Sequence, residues 1–149
     1  MGEEVLGIID TGRWYELLFF TQTRIVVAKT TRGGLGFLGV IGIAVADYSR
    51  KKKSDELKKL SLESVLEADK RNFFIPYSSI QKVEMKKRRT VSQINIIVDQ
   101  KLDRSMMKKK DKTTGKDVYW YERHFKKEKF EDHVNLVRSV LPDKVVVLQ

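Results

Sequence analysis

Apolar and polar positions alternate along most of the chain with the period of two that marks strands; the alternation is interrupted once and gives way near the end to a helical period. Residues 5–9 read as a short strand closed by the turn cluster Asp10-Thr11-Gly12. The aromatic and apolar run WYELLFFT at 14–21 and the β-branched run RIVVAK at 24–29 read as a hairpin around Gln22-Thr23. Strand signals return at NFFIP (72–76), where Pro76 stops any helix from running through the Tyr77-Ser78-Ser79 corner. IQKVEMKK follows, with Val83 and Met85 on one face. VSQINIIVD sets Ile94, Ile96 and Val98 against Gln93, Asn95 and Asp99, the pattern of an antiparallel strand with one wet face. Residues 101–116 are polar and cationic and read as an exposed loop turning at Thr114-Gly115, and DVYWYERHF supplies a last long strand. Phe130, Val134, Val137 and Leu141 then recur at i, i+4, i+7 and i+11, one face of a helix that Pro142 ends. The tail KVVVLQ can add a strand or dock on a neighbour.

The interruption spans about 33–70. Its first part is apolar and glycine-rich; its second, from Ser54-Asp55-Glu56 through Leu57, Leu60, Leu62, Val65 and Leu66, has a capping start and helical spacing. It reads as a helical insertion between strands. The resulting expectation is a mainly β (α+β) chain of about seven antiparallel strands, with the insertion after the third strand and a C-terminal capping helix. At 149 residues, without an internal repeat or a Pro- or Ser-rich linker, a single domain over 1–149 is expected.

Composition narrows the chemistry. A hydrophobic share of 41% with 34% charged residues fits a folded, water-soluble chain. The net charge of +10 requires a face of positive potential that attracts phosphates, in lipid headgroups or in nucleic acid. The absence of cysteine removes disulfides, thiolate nucleophiles and thiolate-bound metals. Residues 1–7 carry two glutamates and no basic region before an apolar stretch, which predicts no secretory signal and a cytoplasmic protein, with a peripheral membrane location as an option.

Two stretches sharpen the fold: LLFFTQTRIVVA at 17–28 and FFIPYSSIQKVEMKK at 73–87. Together they resemble the bacterial and archaeal pleckstrin-homology-like (PH-like) domains, related in fold to GRAM domains. There a strand ends in Thr, turns and resumes at Arg, and an Ile-Pro-x-x-x-Ile turn, matched by Ile75, Pro76 and Ile80, leads into the next strand. The resemblance implies a PH-like barrel and a non-enzymatic binding module. The insertion at 33–70 departs from the simple family pattern.

Gly34, Gly36 and Gly39 have the GxGxxG spacing of a dinucleotide loop, but a spacer separates them from the preceding strand, and Asp55 and Glu56 start a helix where an acid-bearing strand is required. A nucleotide-dependent enzyme is therefore the weakest alternative, and no cofactor is expected. The uncharged run 33–46 is shorter than the ~20 residues needed to cross a bilayer. Gly42 and Ala46 suit close packing within the fold or in a homo-oligomer, whereas Phe37, Leu38, Ile41 and Val45 suit contact with a membrane or a partner. Three basic clusters are the candidate anionic-surface residues: Arg50, Lys51, Lys52 and Lys53; Lys86, Lys87, Arg88 and Arg89; and Lys108, Lys109, Lys110 and Lys112. The second and third fall near strand ends, where loops can converge on one rim. Tyr119, Trp120 and Tyr121 beside lysines keep nucleic acid open as an alternative partner, although consecutive strand residues point to opposite faces and core packing is the commoner use. His124 and His133 lack ligand-pair spacing, Thr113-Thr114-Gly115-Lys116 lacks the upstream glycine of a phosphate loop, and no nucleophile-base or paired-carboxylate setting appears. The expectation is a binding module without catalytic or metal residues, directed at an anionic lipid surface or a protein partner.

Overall fold

The computed structural model describes residues 4–11, 16–29, 62–68 and 70–148. The described strands form two sheets. In the first, β1 (Gly7–Asp10), β2 (Glu16–Phe20), β3 (Arg24–Lys29) and β4 (Phe73–Pro76) lie in sequence order, each antiparallel to the next. The β2–β3 turn is built by Thr21, whose hydroxyl donates to the Arg24 carbonyl at 2.9 Å and accepts from the N–H groups of Thr23 and Arg24. This is the Thr-to-Arg turn expected from the sequence. Pro76 ends β4, Tyr77–Ser79 form one 3₁₀ turn, and Ile80 opens the second sheet.

That second sheet contains β5 (Ile80–Lys87), β6 (Val91–Val98), β7 (Met107–Lys110), β8 (Asp117–Lys126) and β9 (Val145–Leu148), in the order β7-β8-β6-β5-β9. Between β8 and β9 stand a 3₁₀ turn (Lys127–Lys129) and helix α2 (Phe130–Val140). The inner faces of both sheets share one core: Ile9, Leu18, Phe20, Ile25, Val27 and Ile75 from the first meet Val83, Met85, Ile94, Ile96, Tyr121 and Phe125 from the second. Phe130, Val134, Val137 and Leu141 add the apolar stripe of α2 to that core, as their spacing predicts. Gly7 lies so close to Leu136 of α2 that a Cβ there would stand 2.5 Å from a leucine methyl.

Three features differ from the sequence expectation. The described residues hold nine strands rather than about seven, in two sheets with no ladder joining them into a closed barrel, and β9 runs parallel to β5, so the strands are not all antiparallel. The region read as a loop, 101–116, contains β7, whose four exposed residues are held as a strand by pairing with β8. Strand β6 is buried on both faces: Gln93 bonds to Asn95 and Arg88, so polar side chains fill what was expected to be a wet face. Strand β2 is also covered on both faces, because α1 (Leu62–Ala68), between β3 and β4, lays Leu62 and Val65 over Leu17, Phe19, Val26 and Ala28 in a second core. Asn72 fastens this layer, accepting from the Lys29 N–H at 2.7 Å and donating to the Val65 carbonyl at 2.8 Å. The helical expectation for the insertion holds for α1; residues 33–61 and 69 of the insertion lie outside those described.

Candidate functional site

Strands β5 and β6 are consecutive and antiparallel, so the basic segment Lys86, Lys87, Arg88 and Arg89 forms the end of β5 and the turn into β6. The Arg88 N–H closes that turn on the Val91 carbonyl at 3.0 Å, and Arg88 Nε donates to Gln93 Oε1 at 2.8 Å. On the other side of β6 the register pairs Val91 with Lys126. The end of β8 and the 3₁₀ turn, Lys126-Lys127-Glu128-Lys129, therefore arrive beside the same turn, and Lys127 Nζ donates to the Arg89 carbonyl at 3.3 Å. Seven cations and one acid meet here. Lys86 is half-buried on the outer face of the sheet and the other six cations are exposed. None of the seven forms an ion pair among the described residues. Ammonium groups ~7 Å apart repel each other by roughly 0.6 kcal/mol even in water. An arriving phosphate removes that repulsion.

The third basic cluster lies elsewhere. Lys108 pairs with Tyr119 and Lys110 with Asp117, at the opposite end of β8 from Lys126. Nine residues of strand separate the two ends, roughly 30 Å at the strand rise of about 3.3 Å per residue. Salt screens exposed charges beyond about 8–10 Å, so the two clusters act independently. Lys86–Arg89 and Lys108–Lys112 thus do not converge on one rim, contrary to the expectation from sequence. Lys108 Nζ is 3.3 Å from Asp117, and Lys109 Nζ lies 4.0 Å from the centre of the Trp120 ring. Along an edge strand these lysines do what edge lysines commonly do, which is to block pairing with another chain. Lys112 lies in the β7–β8 turn, where Gly115 takes φ 72°, so Thr114-Gly115-Lys116 is turn structure. Arg50, Lys51, Lys52 and Lys53, the apolar residues Phe37, Leu38, Ile41 and Val45, and the glycines of the GxGxxG string all lie outside the described residues.

The aromatic strand divides as alternation requires. Tyr121 is fully buried, Tyr119 packs on the main core, and Trp120 stands on the outer face under Lys109. No flat array of stacking rings is formed by these three. His133 is half-buried with its ring 4.9 Å from that of Phe125, and burial lowers its pKa to about 4, with Asp132 opposing. Among the described residues no group of three His, Cys, Asp or Glu is placed to hold a metal ion.

One cluster was not anticipated. Glu16, at the start of β2, points between the sheets with a fully buried side chain. Its carboxylate accepts from Arg123 Nε at 2.6 Å and from the Tyr121 hydroxyl, and pairs with Lys29, its direct neighbour across β2 and β3. Arg123 also donates to Ser105 Oγ at 2.9 Å and to the Glu122 carbonyl at 2.8 Å. Thr11 clamps the Glu16 backbone, its hydroxyl donating to the carbonyl at 2.8 Å and accepting from the N–H at 3.1 Å. Burial pushes the Tyr121 phenol well above its ordinary pKa, so it remains a donor to Glu16. No buried side-chain nitrogen or oxygen of Glu16, Arg123, Tyr121 or Thr11 lacks a hydrogen-bond partner, which is the arrangement of a structural tie between the sheets. The available signal was a lone acid in WYELLFFT and a lone arginine in YWYERHF.

Fold and site together define a mainly β chain of two sheets with a helix packed on their shared core and a cationic end. Comparison with protein-family models, curated proteins and solved structures finds no match for the chain. No helix among the described residues is long and apolar enough to cross a membrane.

Proposed function

We propose that this chain is a PH-like, non-enzymatic binding module that attaches peripherally to the cytoplasmic face of a membrane, using the cationic end of its second sheet to hold anionic lipid headgroups. The observation that carries this reading is the convergence of Lys86, Lys87, Arg88 and Arg89 with Lys126, Lys127 and Lys129 through the β5–β6–β8 register. Like charges concentrated at one end without carboxylate partners weaken the isolated fold slightly and attract phosphate oxygens. The Thr21–Arg24 turn, the Ile75-Pro76 corner and the helix α2 on the core support the PH-like assignment.

Each lysine or arginine at an anionic bilayer surface contributes about 1 kcal/mol. Changing Lys87, Arg88, Arg89 and Lys126 together to glutamine is therefore expected to lower partitioning onto vesicles containing phosphatidylserine by roughly 10³-fold, with vesicles of neutral lipid bound by neither form. Changing Lys108, Lys109 and Lys110 to glutamine is expected to have a far smaller effect. Cosedimentation at low and physiological salt measures both. Equal binding to charged and neutral vesicles, or an undiminished quadruple variant, overturns the proposal. A mobility shift of single- or double-stranded DNA that the same quadruple variant abolishes, without vesicle binding, reassigns the site to nucleic acid.

A further inference from the structure

The two edges of the five-stranded sheet have opposite chemistry. Edge β7 carries Lys108, Lys109 and Lys110, all exposed. Edge β9 is Val145-Val146-Val147-Leu148, with no charge on it; Val146 is 40% and Leu148 37% exposed on the outer face. Lys144, which precedes the strand, does not guard that edge, because its ammonium is bonded to the carbonyls of Tyr77 at 3.0 Å and Ile80 at 2.6 Å. Among the described residues no strand pairs with the outer side of β9, and an apolar edge without lysine, proline or bulge is open to pairing with another strand.

The backbone fixes how such pairing would run. The Val83 N–H donates to the Lys144 carbonyl at 2.8 Å, and Val83 is in register with Val145. In a parallel ladder the bonding groups then alternate, so the N–H and C=O of Val146 face β5 while those of Val145 and Val147 face away from the sheet. An antiparallel copy of the same strand satisfies all four outward groups when a twofold axis passes through Val146: Val145 pairs with Val147 of the second copy and the reverse. Val146 then faces its own counterpart in a non-hydrogen-bonded pair, with Cα atoms about 4.5 Å apart. The edge is thus self-complementary, as a twofold interface requires. The strand itself carries no charge, so two chains of net charge +10 can pair along it without setting cations directly opposite each other in the new ladder.

We propose that β9 is a homodimerisation edge, pairing antiparallel with β9 of a second copy to make one continuous ten-stranded sheet. The contact is small, well below the ~1,000 Å² of a stable interface, so the dimer forms at high local concentration and dissociates on dilution. This inference is independent of the lipid reading.

The chain has no cysteine, so Val146→Cys introduces a single thiol whose Cα would stand within disulfide range of its counterpart. Mild oxidation of V146C is expected to give a covalent dimer at least tenfold faster than Phe74→Cys, which replaces a residue of equal exposure, 40%, on another strand. In sedimentation equilibrium the wild-type chain is expected to rise above monomer mass as concentration increases. Val146→Lys, which installs the guard that β7 already has, is expected to stay monomeric while keeping the wild-type circular dichroism spectrum. Equal cross-linking rates for the two cysteine variants, or a wild-type chain monomeric throughout, overturns the proposal; an edge reserved for another protein's strand would give that second result.

Discussion

Replacing Glu16 by glutamine keeps the shape of the side chain and removes the buried carboxylate charge that pairs with Arg123, 5% exposed, and with Lys29, 20% exposed. Breaking one partner out of a buried ion pair costs about 3–5 kcal/mol, because the remaining charge has lost its compensation rather than because the pair itself was strong. Lys29 can turn its ammonium toward water, so the lower figure applies: about 3 kcal/mol, carried mostly by Arg123. In a chain of this length that corresponds to roughly 6–12 °C in Tm, out of a total stability of about 5–15 kcal/mol. Urea denaturation followed by circular dichroism measures it. The decisive comparison adds Arg123→Met alone and the two changes together, since the charge left by the first change is removed by the second. The double variant is expected to cost about 1–3 kcal/mol less than the sum of the singles. A Glu16→Gln cost below about 1 kcal/mol, or strict additivity, would refute a buried ionic tie between the sheets.

Two further outcomes are expected. His133 has a pKa of about 4 in the fold against an ordinary 6.5, so the unfolded chain takes up its proton first as pH falls; its contribution is intact above pH 6.5 and is lost, up to about 3 kcal/mol, on the way down to pH 4. Thermal melts between pH 4 and 7 should show a Tm slope that His133→Phe flattens. Gly7→Ala should cost about 1–2 kcal/mol, because the new methyl meets the two terminal methyl positions of Leu136, and the cost should vanish in a Leu136→Ala background when both are compared by denaturant midpoint.

Where burial alone decides an element, the sequence was readable. β3 announces itself through Ile25, Val26 and Val27, β5 through Val83 and Met85, and α2 through Phe130, Val134 and Val137, while Pro76 and Pro142 end the elements they should. Elements that exist because of a neighbour were not readable. Met107-Lys108-Lys109-Lys110 has no buried residue and is a strand only through β8. Gln93 and Asn95 alternate like solvent-facing residues, yet they lie buried and bonded to each other at 3.2 Å. The direction of β9 relative to β5 has no local signature at all. The site divides in the same way. Four consecutive cations at 86–89 are visible in the sequence, but their partners at 126–129 stand some 37 positions later, in a segment that reads as the start of a helix, and only the Val91–Lys126 register joins them.

The directions of β5 and β9 link the two proposals. Both strands run toward the cationic end, with Lys86 in register with Leu148. Antiparallel pairing of β9 with its copy reverses the second sheet, so the two cationic ends of a dimer would face opposite ways along the shared sheet. One flat bilayer then meets only one of them at a time. Dimerisation therefore adds no avidity on a single surface, where two sites facing one way would multiply affinity through a high effective concentration. It would instead present a second cationic end on the far side, free for another anionic surface. On the two proposals together, membrane affinity would be a property of one chain, set by Lys86 to Arg89 and Lys126 to Lys129, and the apolar edge would determine how many surfaces one assembly can hold.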